Sequence, residues 1–236
     1  KSSRPNVVVA PAKLTRSLRI TGRRADGYHL IDAEMVALDL ADELTIDPDG
    51  TNDLAPDNLV SKALRAVGRD AHVVLYKRIP AGAGLGGGSA DAAAVLRWAG
   101  VTDDFALAAS IGADVPFCLA GGRARVTGIG EVVEPLPFLD LTFTLLTPPF
   151  PVSTPVVYAK WDDLGGPEAD GPNDLEPAAL AAEPRLAEWR DRLGDATGLT
   201  PVLAGSGGTW FVEGAFPGVA GTIIARTRND RPEGRP

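Results

Sequence analysis

The sequence predicts an α+β protein built from two halves, and three observations support that expectation. First, β-branched and alternating segments are interspersed with segments of helical spacing throughout the 236 residues. Second, a glycine-rich run at residues 80–94 stands between a predicted strand and a predicted helix. Third, Pro135-Leu-Pro interrupts the pattern, so we expect one half at residues 1–139 and the other at residues 140–236.

The first half is predicted to contain both kinds of element. Its strands are expected at residues 6–10, 17–22, 34–46 and 72–79, with an extended segment at 123–133. Its helices are expected at residues 58–67, after Ser89 and at residues 104–111. Ser89 is a suitable N-cap for the second of these helices, because its hydroxyl can accept from a free backbone N–H.

The second half repeats this mixture of elements. A strand is expected at residues 141–146, helices near 153–161 and 184–193, and strands near 201–204 and 208–212. No internal repeat links the two halves.

Composition narrows the class of protein. The net charge is 23 − 31 = −8, which disfavours nucleic-acid binding because such proteins carry basic surfaces. The single cysteine, Cys118, excludes an intrachain disulfide, fits a reducing compartment, and is expected to be a buried, inert thiol. No apolar run approaches the roughly 18 residues of a membrane span, so we expect a cytoplasmic protein.

The glycine-rich run carries the strongest signal of function. Five glycines lie between Gly82 and Gly88, where they allow positive φ angles and a close approach of backbone N–H groups to a ligand. A loop of this kind before a helix N-terminus is suited to hold phosphate. A match to Gly-x-Gly-x-x-Gly is weak evidence here, and the lysine of a Walker A loop is missing after Gly88.

Five further segments occur together with this loop. They are Pro11-Ala12-Lys13, Gly22-Arg23-Arg24-Ala25-Asp26-Gly27-Tyr28-His29, Gly112-Ala113-Asp114-Val115-Pro116-Phe117, Asn173-Asp174-Leu175-Glu176-Pro177 and Gly205-Ser206-Gly207-Gly208-Thr209. In this order they resemble the GHMP kinases and, among these, the 4-diphosphocytidyl-2-C-methyl-D-erythritol kinases. The resemblance covers about residues 8–213.

The resemblance implies a fold and a reaction. We expect a two-domain GHMP kinase fold, with the active cleft between an N-terminal α+β domain and a ferredoxin-like C-terminal domain. ATP and Mg²⁺ are the implied cofactors. The implied partner is a small-molecule substrate, a cytidine-diphosphate-linked sugar alcohol whose 2-hydroxyl is phosphorylated in isoprenoid biosynthesis.

The resemblance also assigns roles to residues. Asp114 is expected to take the proton of the acceptor hydroxyl, with Lys13 beside it as the second catalytic residue. Tyr28 and His29 are expected to hold the cytidine, and Thr15 to contact the acceptor. The expected nucleotide-binding residues are Asn58, Lys77, Pro80, Gly82, Gly84, Leu85, Gly86, Gly87, Gly88 and Ser89. The hydroxyl of Ser89 is also the candidate ligand of Mg²⁺, a role compatible with N-capping.

Two residues depart from the family pattern. Thr15 and Arg16 stand where the family usually has asparagine and leucine, which indicates either a rearranged acceptor site or impaired turnover. Two alternatives therefore remain: a GHMP kinase for another small alcohol, and a nucleotide-binding protein with little or no catalysis. A dinucleotide-binding oxidoreductase is a further hypothesis, which the sequence favours less than these two alternatives.

Overall fold

The computed structural model describes residues 5–229, which form two antiparallel sheets with helices packed against them. The strands are β1 (Asn6–Arg23), β2 (His29–Asp47), β3 (His72–Tyr76), β4 (Arg123–Gly128), β5 (Val132–Pro135), β6 (Thr142–Leu146), β7 (Val202–Leu203), β8 (Trp210–Glu213) and β9 (Thr222–Arg226). The helices are α1 (Leu59–Ala66), α2 (Gly87–Trp98), α3 (Phe105–Ile111), α4 (Val115–Ala120), α5 (Thr154–Asp163), α6 (Glu176–Ala182) and α7 (Leu186–Thr197). The outer ends of the predicted halves, residues 1–4 and 230–236, lie outside the described residues.

The long hairpin of β1 and β2 differs from the sequence-based prediction. We expected two short strands at residues 6–10 and 17–22, and the structure has one strand of 18 residues instead. The pairing of β1 with β2 shifts at Pro11/Lys13, at Thr15/Ser17 and at Ile20/Gly22. Each such bulge reverses the alternation of buried and exposed residues, and this concealed the continuous strand from a period-2 analysis.

The N-terminal sheet has the strand order β1-β2-β4-β5, with β3 also paired to β2. Helix α2 packs against it, and residues 90–96 of this helix are buried. The prediction of Ser89 as N-cap is wrong, because Gly86 occupies that position with φ 70° and the helix begins at Gly87. Ser89 is therefore the third residue of the helix. The short helix α4 was not predicted.

The C-terminal sheet has the order β7-β8-β6-β9, so β6, its first strand in the chain, lies between β8 and β9. This is the order of a ferredoxin-like sheet, as the resemblance implied. The connection between β8 and β9, residues 214–221, contains no helix in the described chain. Strand β9 and helix α6 were not predicted.

A short segment before α6 joins the C-terminal half to β1. The backbone of Leu18 exchanges hydrogen bonds with the segment at 172–174, donating to Pro172 O and accepting from Asp174 N, both at 2.9 Å. Asn173 is 1% exposed, and its Nδ2 donates to Leu203 O at 2.8 Å and to Gly205 O at 2.7 Å. The backbone of the 172–174 segment thus pairs with β1, and the Asn173 amide binds the same segment to the loop after β7.

Cys118 is buried in α4 and 6% exposed. Burial, together with the nearby charge of Asp114, raises the pKa of its thiol to about 12. The expectation of a buried thiol is confirmed, and the raised pKa disfavours the reactive thiolate. None of the helices in residues 5–229 is long and apolar enough to cross a membrane.

The amide of Asn173 gives a test of how the segment that pairs with β1 is held on the loop after β7. In Asn173→Ala, Leu203 O and Gly205 O lose their donor, and Leu175 N loses its 3.0 Å acceptor. We expect the free energy of unfolding to fall by about 3 kcal/mol, measured by urea denaturation. The control Asn6→Ala, an exposed residue at the start of β1, should change it by less than about 0.5 kcal/mol. Equal effects in the two variants would show that this amide does not hold the 172–174 segment on the loop after β7.

Candidate active site

A cleft of about 700 Å³ lies between the two sheets. Its walls come from β1, β2 and the turn between them, the first turns of α1 and α2, the segment before α4, the turn between β4 and β5, helix α5 and the loop after β7. The polar side chains that line it include Lys13, Thr15, Tyr28, His29, Ser89, Asp114, Asp162 and Ser206. Residues far apart in the sequence are thus brought to one opening.

The ammonium group of Lys13 is the central charge of this cleft. Its Nζ lies 3.1 Å from Asp114 Oδ2 and donates to Thr15 Oγ1, also at 3.1 Å. The lysine is 7% exposed, and a charge so deeply buried requires partners of this kind. The structure therefore brings together the two residues that were predicted to be catalytic.

Asp114 stands at the N-cap position of α4. Its side chain makes no capping hydrogen bond. The carboxylate instead pairs with Lys13, remains 34% exposed and lines the cleft. A carboxylate with one oxygen on an ammonium and part of its surface in a cleft is placed to accept a proton from a ligand.

The first glycine loop lies directly on Lys13. The backbone N–H of Lys13 donates to Leu85 O at 3.0 Å. Gly86 has a positive φ, and a Cβ at this position would lie 2.6 Å from Lys13 Cγ. Only glycine allows this approach. The first turn of α2 follows at once, and its backbone N–H groups lack partners within the helix and so can hold an anion.

The second glycine loop, residues 204–209, packs against the first. Thr209 N donates to Ala83 O at 3.1 Å. A Cβ on Gly84 would overlap with Gly207 O and lie 3.0 Å from Ala204 O. This close backbone packing fixes the first loop from the side of the C-terminal sheet.

The two departures from the family pattern have different environments. Thr15 is 1% exposed and accepts the hydrogen bond from Lys13. Arg16 lies at the β-bulge that follows, and its guanidinium pairs with Glu34 and with Glu213. It also lies 5.9 Å from the ring centroid of Phe143. Arg16 does not line the cleft, so its charge does not compete with that of Lys13.

Tyr28 and His29 lie at the other end of the cleft. Tyr28 is 61% exposed, whereas the His29 side chain is only 9% exposed and its Nε2 lies 2.8 Å from Asp162 Oδ1. Sequence reasoning missed Asp162 and its neighbour Tyr158. Burial and the charge of Asp114 raise the pKa of Tyr158 to about 12, so this ring remains a neutral phenol.

The predicted nucleotide-binding residues do not all reach the cleft. Of this set, only Ser89 lines it, while the glycines and Leu85 form the loop beside it. Pro80 lines a separate cavity of about 380 Å³. Asn58 caps α1, since its Oδ1 accepts from Val60 N at 2.8 Å. These positions leave their role in nucleotide binding a prediction.

Lys77 is held by two buried carboxylates beside the start of α2. Its Nζ pairs with Asp42 and lies 2.6 Å from Asp91 Oδ2. Burial lowers the pKa of Lys77, but the bonds to the two carboxylates outweigh it and raise that pKa. Burial also raises the pKa of Asp91, to about 6, although Lys77 opposes the shift. Sequence reasoning missed both aspartates.

Comparison with known proteins agrees with this geometry. A profile described as the GHMP kinases N terminal domain matches residues 58–122. A 4-diphosphocytidyl-2-C-methyl-D-erythritol kinase of Paracoccus denitrificans is 41% identical over 93% of this chain and 90% of that protein. The protein of the same name from Ruegeria pomeroyi is 39% identical over 88% of each chain.

Solved structures give the same result. A crystal structure of 4-(cytidine 5'-diphospho)-2C-methyl-D-erythritol kinase is 31% identical, with a TM-score of 0.79, and covers 95% of this chain and 100% of that chain. Homoserine kinase from Cytophaga hutchinsonii has a TM-score of 0.65 at 18% identity, over 97% and 96% of the two chains. This second likeness supports the fold alone. The predicted GHMP kinase fold is confirmed.

The contact between the two glycine loops is testable with a pair of matched variants. Gly84 and Gly100 both have positive φ, but a Cβ on Gly100 would meet no atom within 4 Å. Gly100→Ala should cost about 1 kcal/mol of stability from backbone strain alone. Gly84→Ala should cost about 2 kcal/mol more, because the loops must separate. ATP affinity, measured by calorimetry, should fall only in Gly84→Ala. Similar stability and ATP binding in both variants would contradict the packing described.

The raised pKa of Asp91 predicts a pH effect on stability. Since its folded pKa of about 6 exceeds the ordinary value of 3.8, the associated stabilisation is present at low pH and is lost as pH rises through about 6. Asp91→Asn lacks this titration. Its stability relative to the parent protein should therefore rise by about 2 kcal/mol between about pH 4.5 and 7. Urea unfolding at several pH values measures the difference, and parallel pH curves would contradict it.

Proposed function

We propose, since the chain belongs to the family of 4-diphosphocytidyl-2-C-methyl-D-erythritol kinases, that it phosphorylates the 2-hydroxyl of this cytidine diphosphate derivative. The phosphoryl donor is ATP, as for the kinase family, and the product belongs to the methylerythritol phosphate route of isoprenoid biosynthesis. The observation that supports this most is the Lys13–Asp114 pair, which lies in the cleft immediately beside the first glycine loop.

Asp114 and Lys13 have different roles in activating the acceptor hydroxyl. Asp114 accepts the proton of the attacking hydroxyl, and the ammonium of Lys13 stabilises the negative charge that develops on its oxygen. Phosphoryl transfer needs mainly positioning and neutralisation of charge. A buried lysine, held by Thr15 and Asp114, supplies a fixed positive charge at the point of attack.

The nucleotide end of the site is formed by the first glycine loop and the first turn of α2. Backbone N–H groups from Gly84 to Ser89 bind the ATP phosphates, and the dipole of α2 favours their charge. Asn58 and Lys77 lie toward the nucleoside. Asn58 caps α1, and Lys77 pairs with Asp42 and Asp91. These contacts hold the two side chains in place and are compatible with a role in binding the nucleoside.

The Ser89 hydroxyl offers one oxygen ligand for Mg²⁺ beside the loop. In sites of this kind Mg²⁺ is bound mainly by substrate phosphates and waters, with one or two protein oxygens. The Ser89 hydroxyl is the protein oxygen that we assign to it, because this residue lies in the first turn of α2 and also lines the cleft. Bound there, Mg²⁺ would supply neutralisation of the phosphate charge.

The acceptor end of the site lies at the hairpin turn. The exposed ring of Tyr28 stacks on the pyrimidine, and His29 hydrogen-bonds its edge. Thr15 contacts the sugar alcohol next to Lys13.

We assign residues 1–139 and 140–236 to two domains, each with one of the two sheets, so that the cleft lies between them. We also assign the protein to the cytoplasm, without nucleic-acid partners.

Measurement of ADP release from Mg-ATP tests the function directly. Release that depends on 4-diphosphocytidyl-2-C-methyl-D-erythritol supports the proposal. Release with another small alcohol alone would indicate a different GHMP kinase. ATP binding without release under any condition would indicate a nucleotide-binding protein without catalysis, the alternative that Thr15 and Arg16 motivate.

The role of Asp114 predicts a selective loss. In Asp114→Asn the side chain keeps its shape but can no longer accept the proton, so kcat should fall by a factor of about 100 or more. The Kd for ATP, measured by calorimetry, should change by less than about twofold, because no ATP contact is removed. Asp195→Asn, an exposed carboxylate on α7, is the control and should keep full activity. Full activity of Asp114→Asn would remove this residue from the mechanism.

A further inference from the structure

One face of α5 surrounds the ring of His29. Tyr158, Trp161 and Asp162 are spaced by three and four residues, so they project from the same side of the helix. The His29 ring centroid lies 4.9 Å from that of Tyr158 and 5.5 Å from that of Trp161. With Asp162 on its Nε2, this imidazole is fixed on three sides by a helix of the C-terminal half.

Both oxygens of Asp162 are engaged with the hairpin of the N-terminal half. Oδ1 lies 2.8 Å from His29 Nε2, and Oδ2 lies 3.4 Å from Arg23 Nη1. Arg23 in turn donates from Nε to Gly27 O at 3.2 Å. The carboxylate is therefore held by two groups at the ends of β1 and β2, and it cannot rotate freely around the ring it contacts.

This contact decides which nitrogen of a neutral His29 carries the hydrogen. An ionised carboxylate only accepts, so Nε2 must be the donor and Nδ1 must be the acceptor. No hydrogen bond from residues 5–229 reaches Nδ1. His29 lines the cleft, and a ligand there meets a ring whose available nitrogen can accept but not donate.

We propose that Asp162 is a positioning residue that makes the site prefer cytosine to uracil, because it fixes the His29 tautomer in which Nδ1 accepts. Cytosine carries an exocyclic amino group, a donor, at the position where uracil carries a carbonyl oxygen, an acceptor. An accepting Nδ1 bonds to the amino group and opposes the carbonyl. This inference rests on the proposed function, since it requires that His29 contacts the base of the acceptor.

The tautomer can be measured without any substrate. The chain has two histidines, so long-range ¹H–¹⁵N spectra of histidine-labelled protein contain two ring systems, and His72→Gln assigns them. For the parent protein above the histidine titration we expect hydrogen on Nε2 of His29. In Asp162→Asn the amide can also donate, so the Nδ1–H form should appear. Hydrogen on Nδ1 of His29 in the parent protein would overturn the proposal.

Selectivity is measured as the ratio of kcat/KM for the cytidine acceptor to that for its uridine analogue. In Asp162→Asn this ratio should fall about tenfold through KM, while kcat and the KM for ATP stay unchanged. Asp163→Asn is the matched control: this neighbour is 69% exposed and pairs with Lys160, so its ratio should equal that of the parent protein. An unchanged ratio in Asp162→Asn would overturn the proposal.

The two measurements separate this inference from the proposed function. Absence of turnover with either acceptor would contradict the proposed function and, with it, the selection of the base. The spectra would still decide whether Asp162 fixes the tautomer. Turnover of both acceptors with equal kcat/KM would support the kinase activity and would contradict the selective role of Asp162.

Discussion

The position of one buried ammonium group governs the rest of this structure. Lys13 is almost inaccessible to water, and its charge is compensated by Asp114 and by the hydroxyl of Thr15. Burying a charge without such partners costs several kcal/mol. The lysine must also leave room for the glycine loop, which contacts its aliphatic chain at Gly86. Strand β1, helix α4 and the loop before α2 are thus constrained by the same side chain.

Elements of the C-terminal sheet hold the first glycine loop and the strand that carries Lys13 in place. The loop after β7 packs on the first glycine loop, and Asn173 fastens it to the strand that carries Lys13. On the opposite side of the cleft, Asp162 reaches from α5 to His29. The cleft is therefore bounded at both ends by contacts between the two halves. A change in their relative position would alter the phosphate end and the acceptor end together.

The sequence predicted correctly those features of the site that consecutive residues form. The glycine run indicated a phosphate loop, and the family resemblance indicated that Asp114 is a reactive carboxylate; the structure places both beside Lys13. Pattern analysis failed where a bulge resets the alternation, as in β1, and where Gly86 rather than Ser89 starts a helix. It also missed Asp91 and Asp162, because isolated aspartates on helices give no signal until the fold supplies Lys77 and His29 as partners.

In the proposed mechanism the acceptor hydroxyl lies against Asp114 with Lys13 beside it. The most direct measurement is a crystal structure with a non-hydrolysable ATP analogue and 4-diphosphocytidyl-2-C-methyl-D-erythritol bound together. We expect the 2-hydroxyl about 3 Å from a carboxylate oxygen of Asp114, with the terminal phosphate at the N-terminus of α2. A hydroxyl bound away from Asp114, with the phosphate still on the glycine loop, would contradict the account.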